Sequence, residues 1–266
     1  MKIAITGAEG FVGRHLTKEL KRRGIKYSIL DRKKYNLLDE KTLKNFVSNK
    51  DIVIHMAGAH RDKPLFEMVR TNILGTLSLV SALNKYSPNA KIIFLSSFMV
   101  YVGKDIFGAT KKAAEEIIEN FCMKSPLKGI VLRFSNIYGK GGRPFSNSAL
   151  STFAHLIKKG QKITITGDGS QTRDFLYIDD AVNAIIKSIN YNSGKHECID
   201  ICTGELTSLN EIIKILSLGR KEKIIIDYAT VSQDHIYDIK RSNIEAKEKL
   251  NWEPKVFIKE GLKHLL

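Results

Sequence analysis

Apolar runs of about five residues alternate with longer amphipathic stretches along the first half of the chain, the rhythm of buried strands crossed by helices. Lys2-Ile-Ala-Ile-Thr6, Lys26-Tyr-Ser-Ile-Leu30, Asp51-Ile-Val-Ile-His55, Lys91-Ile-Ile-Phe-Leu95 and Gly129-Ile-Val-Leu-Arg133 read as strands. Arg14 to Arg23, Met68 to Leu83 and Ala109 to Phe121 read as helices. This alternation predicts an α/β fold, a doubly wound parallel sheet with helices on both faces. Beyond residue 138 the pattern changes to glycine-rich turns, short strands, and helices near Ser148 to Lys159 and Leu206 to Leu216, which suggest a smaller C-terminal α/β lobe. Asp180 to Ile189 and the strand Glu197 to Ile201 are expected to return to the main sheet. The expected division is a main domain over 1–138, with 179–202 rejoining it, and a lobe over 139–178 and 203–266.

The first strand runs directly into Gly7-Ala-Glu-Gly10-Phe-Val-Gly13 and then into a helix, the order of a Rossmann dinucleotide-binding unit. Gly7 permits a tight turn, Gly10 lets the backbone approach a pyrophosphate, and Gly13 lets the helix pack closely. The helix N-terminus presents unpaired N–H groups to an anion. The second strand ends in Asp31, an acidic group placed to bond an adenosine ribose and to repel a 2′-phosphate, which favours NAD. Arg32, Lys33 and Lys34 follow and could neutralise that phosphate, so NADP stays open. The main domain is thus expected to bind a dinucleotide, and the lobe a substrate.

Length and composition agree with a globular chain: 266 residues, 43% hydrophobic, can bury a substantial core. No apolar run approaches the ~20 residues of a membrane span, and Met1 opens on a strand rather than a signal peptide, so a cytoplasmic protein with no membrane partner is expected. Cys122, Cys198 and Cys202 lack zinc-site spacing; they read as packing residues, and no metal is expected. The net charge of +15 comes from scattered basic residues, which excludes nucleic acid as the expected partner and suits an anionic small-molecule substrate.

Several motifs in order then carry a resemblance: T-G-A-E-G-F-V-G from Thr6, H-M-A-G at His55 to Gly58, T-N-I-L-G-T at Thr71 to Thr76, and L-S-S-F-M-V-Y at Leu95 to Tyr101. F-G-A-T-K at Phe107 to Lys111, L-R-F-S-N-I-Y-G at Leu132 to Gly139, G-D-G-S-Q-T-R-D-F-L-Y-I-D-D at Gly167 to Asp180, and L-N-W-E-P-K at Leu250 to Lys255 complete the set. Over nearly its whole length the chain resembles the extended short-chain dehydrogenase/reductases, among them the NAD-dependent nucleotide-sugar epimerases, dehydratases and 4-ketoreductases. The resemblance implies that Gly7, Gly10, Phe11, Val12 and Gly13 hold the cofactor pyrophosphate, Asp31 (with Arg32 beside it) the adenosine ribose, and Asn36 and Leu37 the adenine. It implies that Met56, Ala57 and Gly58 line the cofactor, that Lys111 binds the nicotinamide ribose, and that Ser97 bonds the reacting sugar oxygen. Asn136 and Arg173 are implied contacts of the nucleotide diphosphate, with His60 and Arg61 looser candidates for the sugar. A homodimer through helices near 72–85 and 108–122 is implied as well.

One implied catalytic position departs from the family. Phe107 stands where these enzymes carry the tyrosine of Y-G-x-[ST]-K, whose phenol exchanges the hydroxyl proton while hydride moves, a contribution of roughly 10² to 10⁴ in rate. The loop between Ser97 and Phe107 is short, and Met99 stands where many relatives have a second hydroxyl. Phe98 and Met99 replace the acidic pair of the 4,6-dehydratases, which leaves a nucleotide-sugar 4-epimerase or 4-ketoreductase as the expected activity. Ser232-Gln-Asp-His235 lies near the place of a family R-P-G-D element. Three accounts fit Phe107: a deliberate Tyr→Phe change in an ordinary enzyme, proton transfer by another group such as Tyr101, Ser97 or a water on Lys111, or a non-catalytic NAD- or nucleotide-sugar-binding pseudo-enzyme.

Overall fold

A computed structural model describes residues 1–31, 33–146, 148–218, 220, 223–230 and 238–265. Arg32 and Ser232-Gln-Asp-His235 lie outside the described residues. The first half comprises β1 (Ile3–Thr6), α1 (Phe11–Arg22), β2 (Tyr27–Ile29), α2 (Glu40–Val47), β3 (Ile52–His55), α3 (Leu65–Met68), a π-helical segment Val69–Leu74, α4 (Gly75–Tyr86), β4 (Lys91–Ser97), a 3-10 turn Phe98–Tyr101, α5 (Ile106–Lys124) and β5 (Lys128–Phe134). The second half comprises β6 (Asn136–Tyr138), α6 (Ala149–Lys158), β7 (Ile163–Thr166), β8 (Thr172–Arg173), β9 (Phe175–Tyr177), α7 (Ile178–Asn190), β10 (His196–Ile201), β11 (Thr207–Ser208), α8 (Leu209–Ser217), β12 (Ile226–Ala229), α9 (Ile244–Leu250) and α10 (Ile258–Gly261).

Six strands form one parallel sheet in the order β10-β5-β4-β3-β1-β2. Side chains alternate across it as the pleat requires. Ile3, Ile5, Ile52 and Ile54 face a core shared with Leu16 and Leu20 of α1 and Ile185 of α7. Ala4, Val53, Ile92 and Phe94 face the opposite core with Phe46 of α2, Leu79 and Leu83 of α4, and Ile118 of α5. The sheet is therefore doubly wound, and its direction of progression reverses between β1 and β3. At such a switch point the loops leaving adjacent strands part, opening a crevice at their C-terminal ends.

β10 pairs with β5 from His196↔Gly129 to Ile201↔Phe134, so this late strand extends the main sheet. The remaining strands form the small pairings β6–β9, β8–β11 and β7–β12. The L-N-W-E-P-K segment fastens the chain's end to α7: the fully buried Trp252 donates from Nε1 to the Asp180 carbonyl at 3.0 Å. The Asp180 carboxylate accepts the Lys255 and Val256 amides at 2.9 and 2.8 Å.

Helix boundaries differ from expectation in ways that have local causes. The helix expected over Ala109 to Phe121 begins at Ile106, because the Asp105 carboxylate accepts the Gly108 amide at 2.6 Å and caps it. The helix expected over Met68 to Leu83 starts at Leu65, reaches Tyr86, and is widened at Val69–Leu74. α2, capped by Asp39 and buried through Leu43, Phe46 and Val47, has no counterpart in the sequence reading.

Candidate active site

The glycine loop lies at the switch point. Gly7 adopts φ +72°, and a Cβ there would stand 2.6 Å from the Ala57 nitrogen and the Met56 carbonyl carbon, so glycine lets β1's exit press against β3's. At Gly13 a Cβ would overlap the Gly7 carbonyl oxygen and lie 2.7 Å from the Ala8 Cα; the helix packs on the loop itself. Gly10 differs: its only near neighbour for a Cβ is the Gly7 oxygen at 3.2 Å, and the residue is exposed. No side chain caps the first turn of α1, and that turn holds no acidic residue, which leaves its amides disposed toward an anion. Phe11 and Val12 are half-buried on this turn. These features fit a dinucleotide pyrophosphate.

Asp31 and Asn36 lie beyond β2, at the sheet's edge, and make local turns. The Asp31 carboxylate accepts the Lys33 amide at 3.0 Å and the Asn36 side-chain oxygen accepts the Leu38 amide at 3.0 Å. Leu37 packs on Gly75 at the start of α4, where a Cβ would come within 2.6 Å of its Cδ2.

Beneath the loop runs a continuous buried chain of hydrogen bonds. The Ala57 amide donates to Thr6 Oγ1 (3.1 Å), Thr6 Oγ1 meets His55 Nδ1 (2.7 Å), and His55 Nε2 meets Thr76 Oγ1 (3.0 Å). Thr76 in turn donates to the Asn72 carbonyl (2.7 Å). Because the single Thr76 hydroxyl proton is committed there, His55 must donate from Nε2 and accept at Nδ1 from Thr6; the ring is neutral. Burial, aided by the nearby Lys111 charge, drives its pKa down to about 3. Asn72 clamps Ala59 from both sides, accepting its amide at 2.7 Å and donating to its carbonyl at 2.9 Å, and donates to Thr110 Oγ1 at 3.0 Å. Thr110 closes the chain by donating to the Phe107 carbonyl at 2.8 Å. The segment Met56 to Ala59 and the start of α5 are thereby held in one frame.

Lys111 and Phe107 share a face of α5. The buried Lys111 Nζ donates to the Leu95 carbonyl at 2.6 Å and lies 4.3 Å from the Phe94 ring centre. It would stand 3.8 Å from a Cβ on Gly58, so it reaches the segment after β3. Burial lowers its pKa to about 8, against the opposing pull of Glu115. Phe107 is buried in a small cluster with Ala59, Met68 and Met99. The His60 ring lies 4.5 Å from it, and Arg61, 5.7 Å from the ring centre, pairs with Asp105 at 2.7 Å. The short loop after Ser97 is accommodated because Gly108 lets α5 press on Met99; a Cβ there would overlap the Met99 carbonyl oxygen.

Ser97, Asn136 and Arg173, drawn from three separate motifs, line one small cavity of about 40 Å³ together with Met99, Phe134 and Asp174. Ser97 Oγ accepts the Met99 amide at 3.2 Å. The Asn136 side chain donates to the Asp174 carbonyl at 3.0 Å, and Arg173 donates to the Thr172 carbonyl at 2.6 Å with Asp238 at 3.8 Å. The buried Asp174 fixes this wall by accepting the Thr203 amide and hydroxyl and the Gly204 amide, at 3.1, 2.8 and 2.7 Å.

Tyr101 is engaged elsewhere. Its hydroxyl donates to Asp200 at 2.7 Å and accepts from Arg133 at 2.9 Å; Arg133 also grips the buried Glu115 at 2.6 to 3.2 Å, and Arg241 holds Asp200 at 2.7 Å. Burial and the bond to Asp200 push its pKa up to about 12. Neither this network nor the His55 chain has a signal in the local sequence. H-M-A-G and T-N-I-L-G-T were visible only as motifs, and their polar residues pair across tens of positions. Among the described residues no group of three or more His, Cys, Asp or Glu could hold a metal, and no helix is long and apolar enough to cross a membrane. Cys122 and Cys202 are buried, Cys198 half-buried, and burial raises all three thiols.

A doubly wound sheet with a glycine cradle at its switch point and a lysine one helical turn beyond position 107 narrows the comparison to one group of proteins. Residues 3–202 match the NAD dependent epimerase/dehydratase family. The chain belongs to that family. Among similar proteins, UDP-glucuronate 4-epimerase of Thermodesulfobacterium geofontis is 32% identical over 79% of this chain and 70% of its own length. Among solved structures, UDP-glucose 4-epimerase of Thermotoga maritima with UDP-glucose superposes with a TM-score of 0.88 at 26% identity, covering 100% of this chain and 97% of that one. The structure of MoeE5 in complex with UDP-glucuronic acid and NAD gives 0.87 at 25% identity, covering 99% and 97%.

Proposed function

We propose that the protein is a nucleotide-sugar 4-epimerase or 4-ketoreductase that uses NAD(H). The observation that carries this reading is the cavity shared by Ser97, Asn136 and Arg173, on a chain that also keeps an uncapped α1 N-terminus and a buried Lys111. When bound, NAD supplies a hydride acceptor for the sugar C4 and returns the hydride to the ketone. The chain's part is to bind and orient. The α1 amides and Gly10 receive the pyrophosphate, Asp31 the adenosine ribose, and Lys111 the nicotinamide ribose. Ser97 bonds the sugar oxygen, while Asn136 and the Arg173 guanidinium meet the diphosphate, a task suited to a fixed fork of donors. The UDP-sugars of the two related structures support a UDP-sugar ligand here. A homodimer through the outer faces of α4 and α5 belongs to the same reading; Leu74, just before α4, and Leu77 on it are exposed at 45% and 39%.

A second reading is favoured by Phe107 itself, which has no proton to exchange: a module that binds NAD and nucleotide sugar without turnover. Turnover assays against UDP-, dTDP- and GDP-sugars separate the two. Interconversion of any of them by the protein as written removes the second reading. If neither it nor Phe107→Tyr turns over any sugar while NAD binds, the catalytic reading is wrong.

A further inference from the structure

Of the groups that could replace the missing phenol, Tyr101 is bound on both sides by Asp200 and Arg133, and Ser97 is an alcohol, too weak a base to hold the proton at neutral pH. His60 stands differently. Its ring lies 4.5 Å from the Phe107 ring at an interplanar angle of 45°, in contact with the side chain that stands in the tyrosine's place. Its Nδ1 is sealed from solvent with no hydrogen-bond partner, an unusual state for a buried polar atom and one that calls for an explanation. The Asn72 clamp on Ala59 fixes the backbone just before it, and the Arg61–Asp105 pair closes the side. We infer that His60 exchanges the sugar-hydroxyl proton in place of the phenol that Phe107 lacks, an inference that rests on the nucleotide-sugar reading above.

In the oxidative direction the O–H proton at C4 passes to an imidazole nitrogen while the C4–H bond breaks and its hydride goes to NAD⁺, leaving ketone, imidazolium and NADH. Reduction returns the hydride to carbon and the imidazolium proton to oxygen, so atoms and charge balance. Burial holds the ring's pKa below its ordinary value, with the positive charges of Arg61 and Lys111 acting the same way and Asp62 and Asp105 opposing. The ring is therefore neutral and able to accept a proton at neutral pH.

The test joins a spectroscopic readout to kinetics. Imidazole ¹H–¹⁵N resonances of the full chain, with His60 assigned through His60→Gln, should shift when UDP-glucose or UDP-glucuronic acid is added with NAD⁺. On whichever nucleotide sugar is turned over, His60→Gln should lower kcat by about 10² or more with little change in KM. The acid limb of wild-type kcat/KM should follow the His60 pKa measured by NMR. Adding Phe107→Tyr to the His60→Gln protein should restore turnover, which a merely structural loss would not permit. Imidazole resonances unmoved by both ligands, a His60→Gln protein with wild-type kcat, or a double variant no better than His60→Gln overturns the assignment and leaves the nucleotide-sugar reading standing. Absence of turnover in wild type, Phe107→Tyr and the double variant alike, with NAD bound, overturns that reading and this inference with it.

Discussion

Mild acid should weaken the fold through His55. In the native state Nδ1 accepts from Thr6 and Nε2 donates to Thr76, so adding a proton turns an acceptor into a donor inside a fully buried chain of bonds. Burial, with Lys111 contributing, holds the folded pKa at about 3, against about 6.5 in an unfolded chain. Between those values the unfolded state binds a proton that the folded state refuses, so stability present above pH 6.5 is lost as pH falls. The slope is roughly 1.4 kcal/mol per pH unit, and the loss between pH 6.5 and 5 is about 1.6 kcal/mol. That window stays above the ordinary carboxylate range. The assay is urea unfolding followed by the fluorescence of Trp252, the only tryptophan and fully buried, for wild type and His55→Gln. His60 and His196 are lowered in the same direction and are present in both proteins, so the difference between the two isolates His55. His55→Gln has its own packing cost, but that cost is constant with pH. A stability gap that stays the same from pH 6.5 to pH 5 would refute the reasoning.

Three substitutions probe other parts of the frame. Gly10→Ala should leave stability within about 1 kcal/mol, because its φ of −69° suits alanine, yet weaken NAD binding at least tenfold by calorimetry; unchanged affinity would remove the pyrophosphate from this loop. Gly13→Ala should instead lower the thermal midpoint, since its Cβ has no room beside Gly7 and Ala8; an unaltered midpoint would contradict the packing. Glu115→Ala strands the Arg133 guanidinium, with Glu115 only 2% exposed, and should cost roughly 3–5 kcal/mol in urea unfolding; a loss below 1 kcal/mol would mean that Tyr101 alone satisfies the arginine.

The parts of this protein legible in its sequence are those encoded by neighbours in the chain. β1, the glycine turn and α1 lie within twenty-two residues, and each carries a local signal: an apolar run, glycines at fixed offsets, an amphipathic repeat. The start of α5 carries a local signal too, since Asp105 is a strong N-cap residue and its carboxylate accepts the Gly108 amide. α2 is marked locally by Asp39 as its cap and by the Leu43, Phe46, Val47 spacing, in a short helix of eight residues. The polar networks are a different case. Tyr101 meets Asp200 across 99 positions and Thr6 meets His55 across 49, and nothing local in either sequence neighbourhood distinguishes a hydroxyl that will be buried and paired from one on a surface. The companionship of His60 and Phe107 is of this long-range kind too.

The widened segment Val69–Leu74 sets the rotational phase between α3 and α4. An α-helix advances about 100° per residue, so removing Arg70 and letting the segment close into ordinary helix would turn α3 by about that angle against α4. Met68 would leave Phe107, while Asn72, anchored on the α4 side, would keep its grip on Ala59. The wall behind position 107 is thus specified by chain length as well as by side chains, and a one-residue deletion there would reshape it without changing any residue that touches it.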